Sequence, residues 1–165
     1  MQSEPGPEVL DDEAVLAGVA AFHDLPHHAL ALLAGGARRC EYEPGAILMR
    51  QGDTSDCLHV IASGRVRVEK SIPEAGPEPV LLGELGPNDL VGEMGVLDDA
   101  PRSATVRAVE RTETLTLSPD LLAAIMIQYP RVSGALLRIV SERVSNNKEL
   151  TERMQKKDLS WLGPW

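Results

Sequence analysis

Between residues 39 and 117 the chain is cut into short pieces. Pro44-Gly45, Gly52-Asp53, Ser63-Gly64, Glu74-Ala75-Gly76-Pro77 and Gly86-Pro87-Asn88 carry the residues that turns need. Glycine supplies positive φ, proline a fixed φ, and Asn or Asp a local hydrogen bond. The stretches between these breaks are short and apolar, at 47–49, 58–61, 66–70 and 80–82. Arg65-Val66-Arg67-Val68-Glu69 alternates polar and apolar residues, as a half-buried strand does. Residues 104–108 and 112–117 read the same way. Eight or so short strands at this spacing predict a mainly β fold, a sandwich or jelly-roll barrel of the double-stranded β-helix kind.

Helices are expected on either side. Residues 11–22 read as a short helix that Asp11 or Asp12 can cap. Leu25-Pro26 opens a second helix, with Leu30, Leu33 and Ala34 apolar and Gly35-Gly36 at its end. After the strands, Ser118 is placed as an N-cap with Pro119 at the first helical position. Tyr129-Pro130 breaks that helix, and a long one follows from about residue 131 to 157. The division is then a loose, acidic tail over 1–10, one domain over 11–157, and a tail over 158–165. Within the domain, the β region covers about 39–117 and the closing helices about 118–157.

Composition narrows the function. The 165 residues carry a net charge of −9 and a sequence pI near 4.9. That argues against this chain itself gripping nucleic acid or an anionic membrane. Cys40 and Cys57 stand far apart with no paired Cys or His spacing, so two reduced thiols are expected rather than a disulfide framework or metal site. No apolar run reaches membrane-spanning length, and the N-terminus is no signal peptide. The expected location is cytoplasmic. No Ser-His-Asp order, metal cluster or P-loop is apparent, so the chain is not read as an enzyme and no cofactor is expected.

The chemistry concentrates in Gly92-Glu93-Met94-Gly95-Val96-Leu97-Asp98-Asp99-Ala100-Pro101-Arg102-Ser103-Ala104-Thr105-Val106. A helical turn beginning near Glu93 leaves its first backbone N–H groups unpartnered, which makes an anion site. Gly92 and Gly95 lack a Cβ, so an anion can approach the main chain closely. Arg102 brings a planar, permanently charged fork suited to phosphate. Glu93 can accept hydrogen bonds from a sugar hydroxyl.

This segment resembles the phosphate-binding cassette of the cyclic-nucleotide-binding domain family, and the likeness runs from about Leu16 to Met154. It is similar to the sensor half of catabolite-activator-type regulators and to the regulatory domains of cyclic-nucleotide-dependent kinases and channels. The resemblance implies that Glu93 holds the ribose 2′-OH and Arg102 the cyclic phosphate. The backbone around Gly95, Ser103 and Ala104 completes the phosphate contacts. Gly92, Glu93, Met94, Gly95, Arg102, Ser103, Ala104 and Asn147 are the implied ligand residues. The ligand is cAMP ahead of cGMP. Family members that regulate transcription continue into a helix-turn-helix domain, which this sequence does not show.

The last helix carries Leu137, Val140, Val144, Asn147, Thr151 and Met154 at three-four spacing, one seam along its length. Asn147 and Lys148 align with positions that touch the purine edge in the catabolite-activator type. The same seam offers a homodimer contact, and an effector protein is the other partner expected. Trp161 and Trp165 sit in the tail, as a lid over the base or as packing residues. The leading reading is a non-enzymatic cyclic-nucleotide sensor whose C-terminal helices rearrange on binding. A nucleotide-independent interaction domain and the sensor fragment of a transcription regulator are the alternatives.

Overall fold

The computed structural model describes residues 11–54, 56–93 and 101–155, apart from the side chains of 144 and 146–155. Two short helices come first, α1 (Asp12–Ala17) and α2 (His27–Gly36). Eight strands follow: β1 (Arg38–Tyr42), β2 (Ile47–Met49), β3 (Leu58–Ser63), β4 (Val66–Lys70), β5 (Val80–Leu85), β6 (Leu90–Val91), β7 (Thr105–Ala108) and β8 (Thr112–Leu117). A 3-10 turn, Pro73–Ala75, lies between β4 and β5. The helices α3 (Pro119–Gln128) and α4 (Pro130–Gln155) close the described chain.

The strands form two four-stranded antiparallel sheets, in the orders β1-β8-β3-β6 and β2-β7-β4-β5. No ladder joins the two sheets among the described residues. The expected jelly roll is thus present as two faces and not as a closed barrel. Strand β3 shows how the layers share residues. Successive side chains of a strand point to opposite faces. Leu58, Val60 and Ala62 join the core under the helices, while Ile61 packs with Met49, Val66, Val91 and Val106 between the sheets. Both faces of β3 are buried, so its run is almost wholly apolar where β4 alternates.

The main core is built by Leu16, Val19, Phe22, Leu30 and Leu33 from the N-terminal region, Leu115 and Leu117 from β8, and Leu122, Ile125, Val132 and Leu136 from α3 and α4. Ser118 caps α3 as expected, its hydroxyl accepting from the Leu121 N–H at 3.2 Å. Tyr129 ends α3 with φ −127° and ψ 81°, and its hydroxyl lies 2.7 Å from His28 Nε2. Arg39 ties α1 to β8 through Asp12 and Glu113.

The first helix is shorter than residues 11–22. Asp11 caps it, accepting from Glu13 N–H at 3.1 Å, but α1 stops at Ala17. Asn88 is the reason. Its Nδ2 donates to the Val15 carbonyl at 2.9 Å, the acceptor an α-helix would reserve for the Val19 N–H. Val19 turns to Leu16 O instead, and Phe22 and Leu25 repeat that tighter pattern. The Asn88 amide also lies where a Cβ on residue 18 would go, so Gly18 is what fits there.

Candidate functional site

Strand β6 is two residues long, and it delivers Gly92 and Glu93 to the space between the sheets. Gly92 has φ +89°, a conformation costly for any residue with a Cβ. A Cβ there would also collide with Arg102 Nη1. The positive φ favours glycine here, and any side chain would make the Arg102 fork shift.

Arg102 is clamped from both ends. Its N–H donates to Asp53 O at 2.8 Å, and its carbonyl accepts from Gly52 N–H at 2.8 Å. Its guanidinium folds back on main chain: Nη1 donates to Gly92 O at 3.1 Å and Nη2 to Cys57 O at 2.7 Å. The side chain is only 4% exposed. Asp56 Oδ1 stands 3.5 Å from Nη2 on an exposed carboxylate. Carbonyl dipoles hold the fork without cancelling its charge, which remains available to an anion.

The wall behind Arg102 is uncharged at neutral pH. His59 Nε2 lies 3.4 Å from Cys57 Sγ, and Nδ1 lies 3.4 Å from the Thr114 hydroxyl. Burial, reinforced by the nearby arginine charge, lowers the His59 pKa to about 4. Burial and then the Asp56 carboxylate raise the Cys57 thiol to about 11, against the opposing pull of Arg102. Neither Cys40 nor Cys57 is in a disulfide.

Glu93 lines the same cavity as Arg102 and is 1% exposed. Its Oε1 accepts from Arg143 Nη1 at 2.5 Å. Its Oε2 is buried and has no hydrogen-bond partner among the described residues. A buried carboxylate oxygen without a donor is costly and uncommon. The remaining lining is apolar, with Met49, Val68, Leu82, Leu85, Val91 and Val106 around a cavity of about 170 Å³. Ser103 and Ala104 line it beside Arg102. The arrangement can hold a molecule that is anionic at one end, offers a hydroxyl to Glu93, and carries an apolar body.

Of the residues implied by the sequence, Gly92, Glu93, Arg102, Ser103 and Ala104 meet at this cavity. Met94, Gly95 and the side chain of Asn147 lie outside the described residues, as do Trp161 and Trp165. Three contributors are not evident from the sequence: Arg143, Asp56 and the Cys57 carbonyl. Arg143 has a usable signal, because it lies one helical turn before Asn147 on the same face. A main-chain carbonyl has none.

Comparisons with known proteins bear on the family. A family model described as the cyclic nucleotide-binding domain matches residues 39–129. The "Cyclic AMP receptor protein" of Thermus thermophilus is 34% identical over 127 residues, covering 77% of this chain and 58% of that protein. The crystal structure of the Thermus thermophilus catabolite activator protein superimposes with a TM-score of 0.70 at 32% identity, over 80% of this chain and 61% of the other. Mouse patatin-like phospholipase domain-containing protein 6 is 37% identical over 105 residues, which is 64% of this chain but 8% of that protein. The chain thus spans only part of the relatives it matches. The match over 39–129, the two sheets and the Gly92–Glu93–Arg102 cavity lead to one conclusion: this chain belongs to the cyclic nucleotide-binding domain family.

Proposed function

We propose that the chain binds a 3′,5′-cyclic nucleotide in the cavity between its sheets and reports occupancy through α4, without catalysing a reaction on the ligand. The observation that carries this reading is the pairing of one buried Glu93 oxygen, without a hydrogen-bond partner among the described residues, with a buried arginine fork lining the same cavity. Glu93 Oε2 would accept the ribose 2′-OH, which removes the cost of its isolation. Arg102 would take the cyclic phosphate, with main-chain N–H groups near Gly95, Ser103 and Ala104 completing the cradle. The apolar lining suits the face of a purine. The ligand is cAMP ahead of cGMP, and the 34% identity to a protein named as a cyclic AMP receptor supports that order.

Arg143 supplies the link to output. It comes from α4 yet bonds the residue assigned to the ribose. Ligand that engages Glu93 therefore acts on α4 through one hydrogen bond, and Asn147 would meet the base one turn further on. A population shift of α4 is the signal. Leu137, 57% exposed on that helix, supports a second copy or an effector protein as the surface that reads it.

Calorimetric titration with cAMP, cGMP and 5′-AMP tests the reading. Saturable heat with a cyclic nucleotide, and little with 5′-AMP, is the expected result. No heat and no thermal stabilisation with either cyclic nucleotide would overturn it.

A further inference from the structure

Asp56 is the one carboxylate that pairs with Arg102 among the described residues, and the function above gives it no work. Its side chain is 84% exposed and stands 3.5 Å from an Nη2 already committed to Cys57 O. A pair with one partner so exposed is screened by solvent. It does set the charge of the site. Glu93 and Arg143 cancel one another, and Arg102 and Asp56 do the same. His59 and Cys57 add no charge near neutral pH. Among the described residues these charges sum to zero, within a chain of net charge −9.

We propose that Asp56 is a specificity-determining residue that fixes how much negative charge the phosphate end accepts, admitting a monoanionic phosphodiester and rejecting a dianionic phosphomonoester. This rests on the reading of the cavity as a cyclic-nucleotide site. An anion on the free N–H groups of Arg102 lies within about a guanidinium's width of the Asp56 carboxylate. The repulsion scales with the ligand's charge. A cyclic diester meets it once, and a monoester at pH 8 meets it nearly twice. Because Asp56 is solvated, the effect is about threefold in affinity per unit of ligand charge at low salt, and it shrinks as salt screens it.

The experiment compares wild type with Asp56→Asn at pH 8, with cAMP by calorimetry and 5′-AMP by displacement of bound cAMP. Thermal melting first confirms that both proteins are folded. The variant is expected to bind cAMP about threefold more tightly at low salt, with the gain closing at high salt, and 5′-AMP about tenfold more tightly. Equal or weaker cAMP binding by the variant overturns the proposal, since Asp56 would then hold Arg102 in place or do nothing. An affinity gain that ignores salt also overturns it. So does a variant from which 5′-AMP displaces no more cAMP than from wild type. A wild type that binds no cyclic nucleotide overturns the underlying function and this proposal together. When wild type does bind, the comparison bears on Asp56 alone.

Discussion

The two ends of the cavity are built on different principles. The arginine end is made by the fold itself: Arg102 is tied through its own backbone to the 52–53 turn and through its fork to two carbonyls. The glutamate end is finished by a visitor. Arg143 reaches Glu93 from a helix whose fully buried core residues, Val132 and Leu136, lie about two to three turns back. The first end is fixed once the sheets have formed. The second depends on where α4 lies. A sensor needs both, because a ligand held only by rigid parts moves nothing and one held only by mobile parts binds weakly.

The largest effect should come from the rigid end. Arg102→Ala leaves the anion without its side-chain charge, which costs about 2–5 kcal/mol, or roughly 30-fold or more in affinity. Binding isotherms on the folded variant check this, and unchanged affinity would show that the fork is not the anion site. The same wall should be sensitive to acid. His59 has its folded pKa depressed to about 4 from the ordinary 6.5. Its contribution is fully present above pH 6.5. As pH falls from 6.5 towards 4, the unfolded chain takes up a proton that the folded one refuses. The loss is about 3 kcal/mol at its limit. Denaturation of wild type and His59→Gln between pH 7 and 4 should show the steeper decline in wild type. Parallel curves would mean the wall tolerates charge and is less rigid than described.

At the other end the effects should be smaller and should spread into the helix. Glu93→Gln turns one of the two buried carboxylate oxygens into an amide donor and removes the charge that Arg143 pairs with, at about 1–3 kcal/mol in binding. Arg143→Gln should cost about 1 kcal/mol, roughly fivefold in affinity. Its larger signature lies in hydrogen exchange. Ligand should slow exchange along α4 in wild type, and Arg143→Gln should uncouple that response while the cavity strands still respond. If α4 is protected equally in the free and bound wild type, it is a static support and the contrast between the two ends fails.

These contrasts also explain what is legible in the sequence. The strands are visible because their turns are local: a Ser63-Gly64 or Gly52-Asp53 pair states its conformation without help from elsewhere. The cavity is visible where its residues are neighbours, as Gly92 and Glu93 are. What stays hidden depends on distant partners. Strand β6 has two residues, too few for any periodicity to show. The first helix ends sooner than its pattern suggests because Asn88, 73 residues beyond Val15, takes the Val15 carbonyl. Asn88 is also the one non-glycine with positive φ among the described residues, at 69°. Arg143 stands 50 residues from its partner and looks, in sequence, like one more charge on a polar helix.

The clamp on Arg102 has a consequence for how this site records change over time. Its acceptors at Gly92 and Cys57 are peptide oxygens, and every amino acid carries the same one. The side chain at 57 can therefore be exchanged without removing the oxygen that holds the arginine, provided the backbone path is kept. A scan that replaces side chains one by one would score Cys57 as expendable, although the carbonyl beside its thiol anchors the charge on which recognition is proposed to turn. Deep mutational maps of this fold should therefore show a tolerant position in contact with the arginine, and the tolerance would measure the chemistry of the side chain alone.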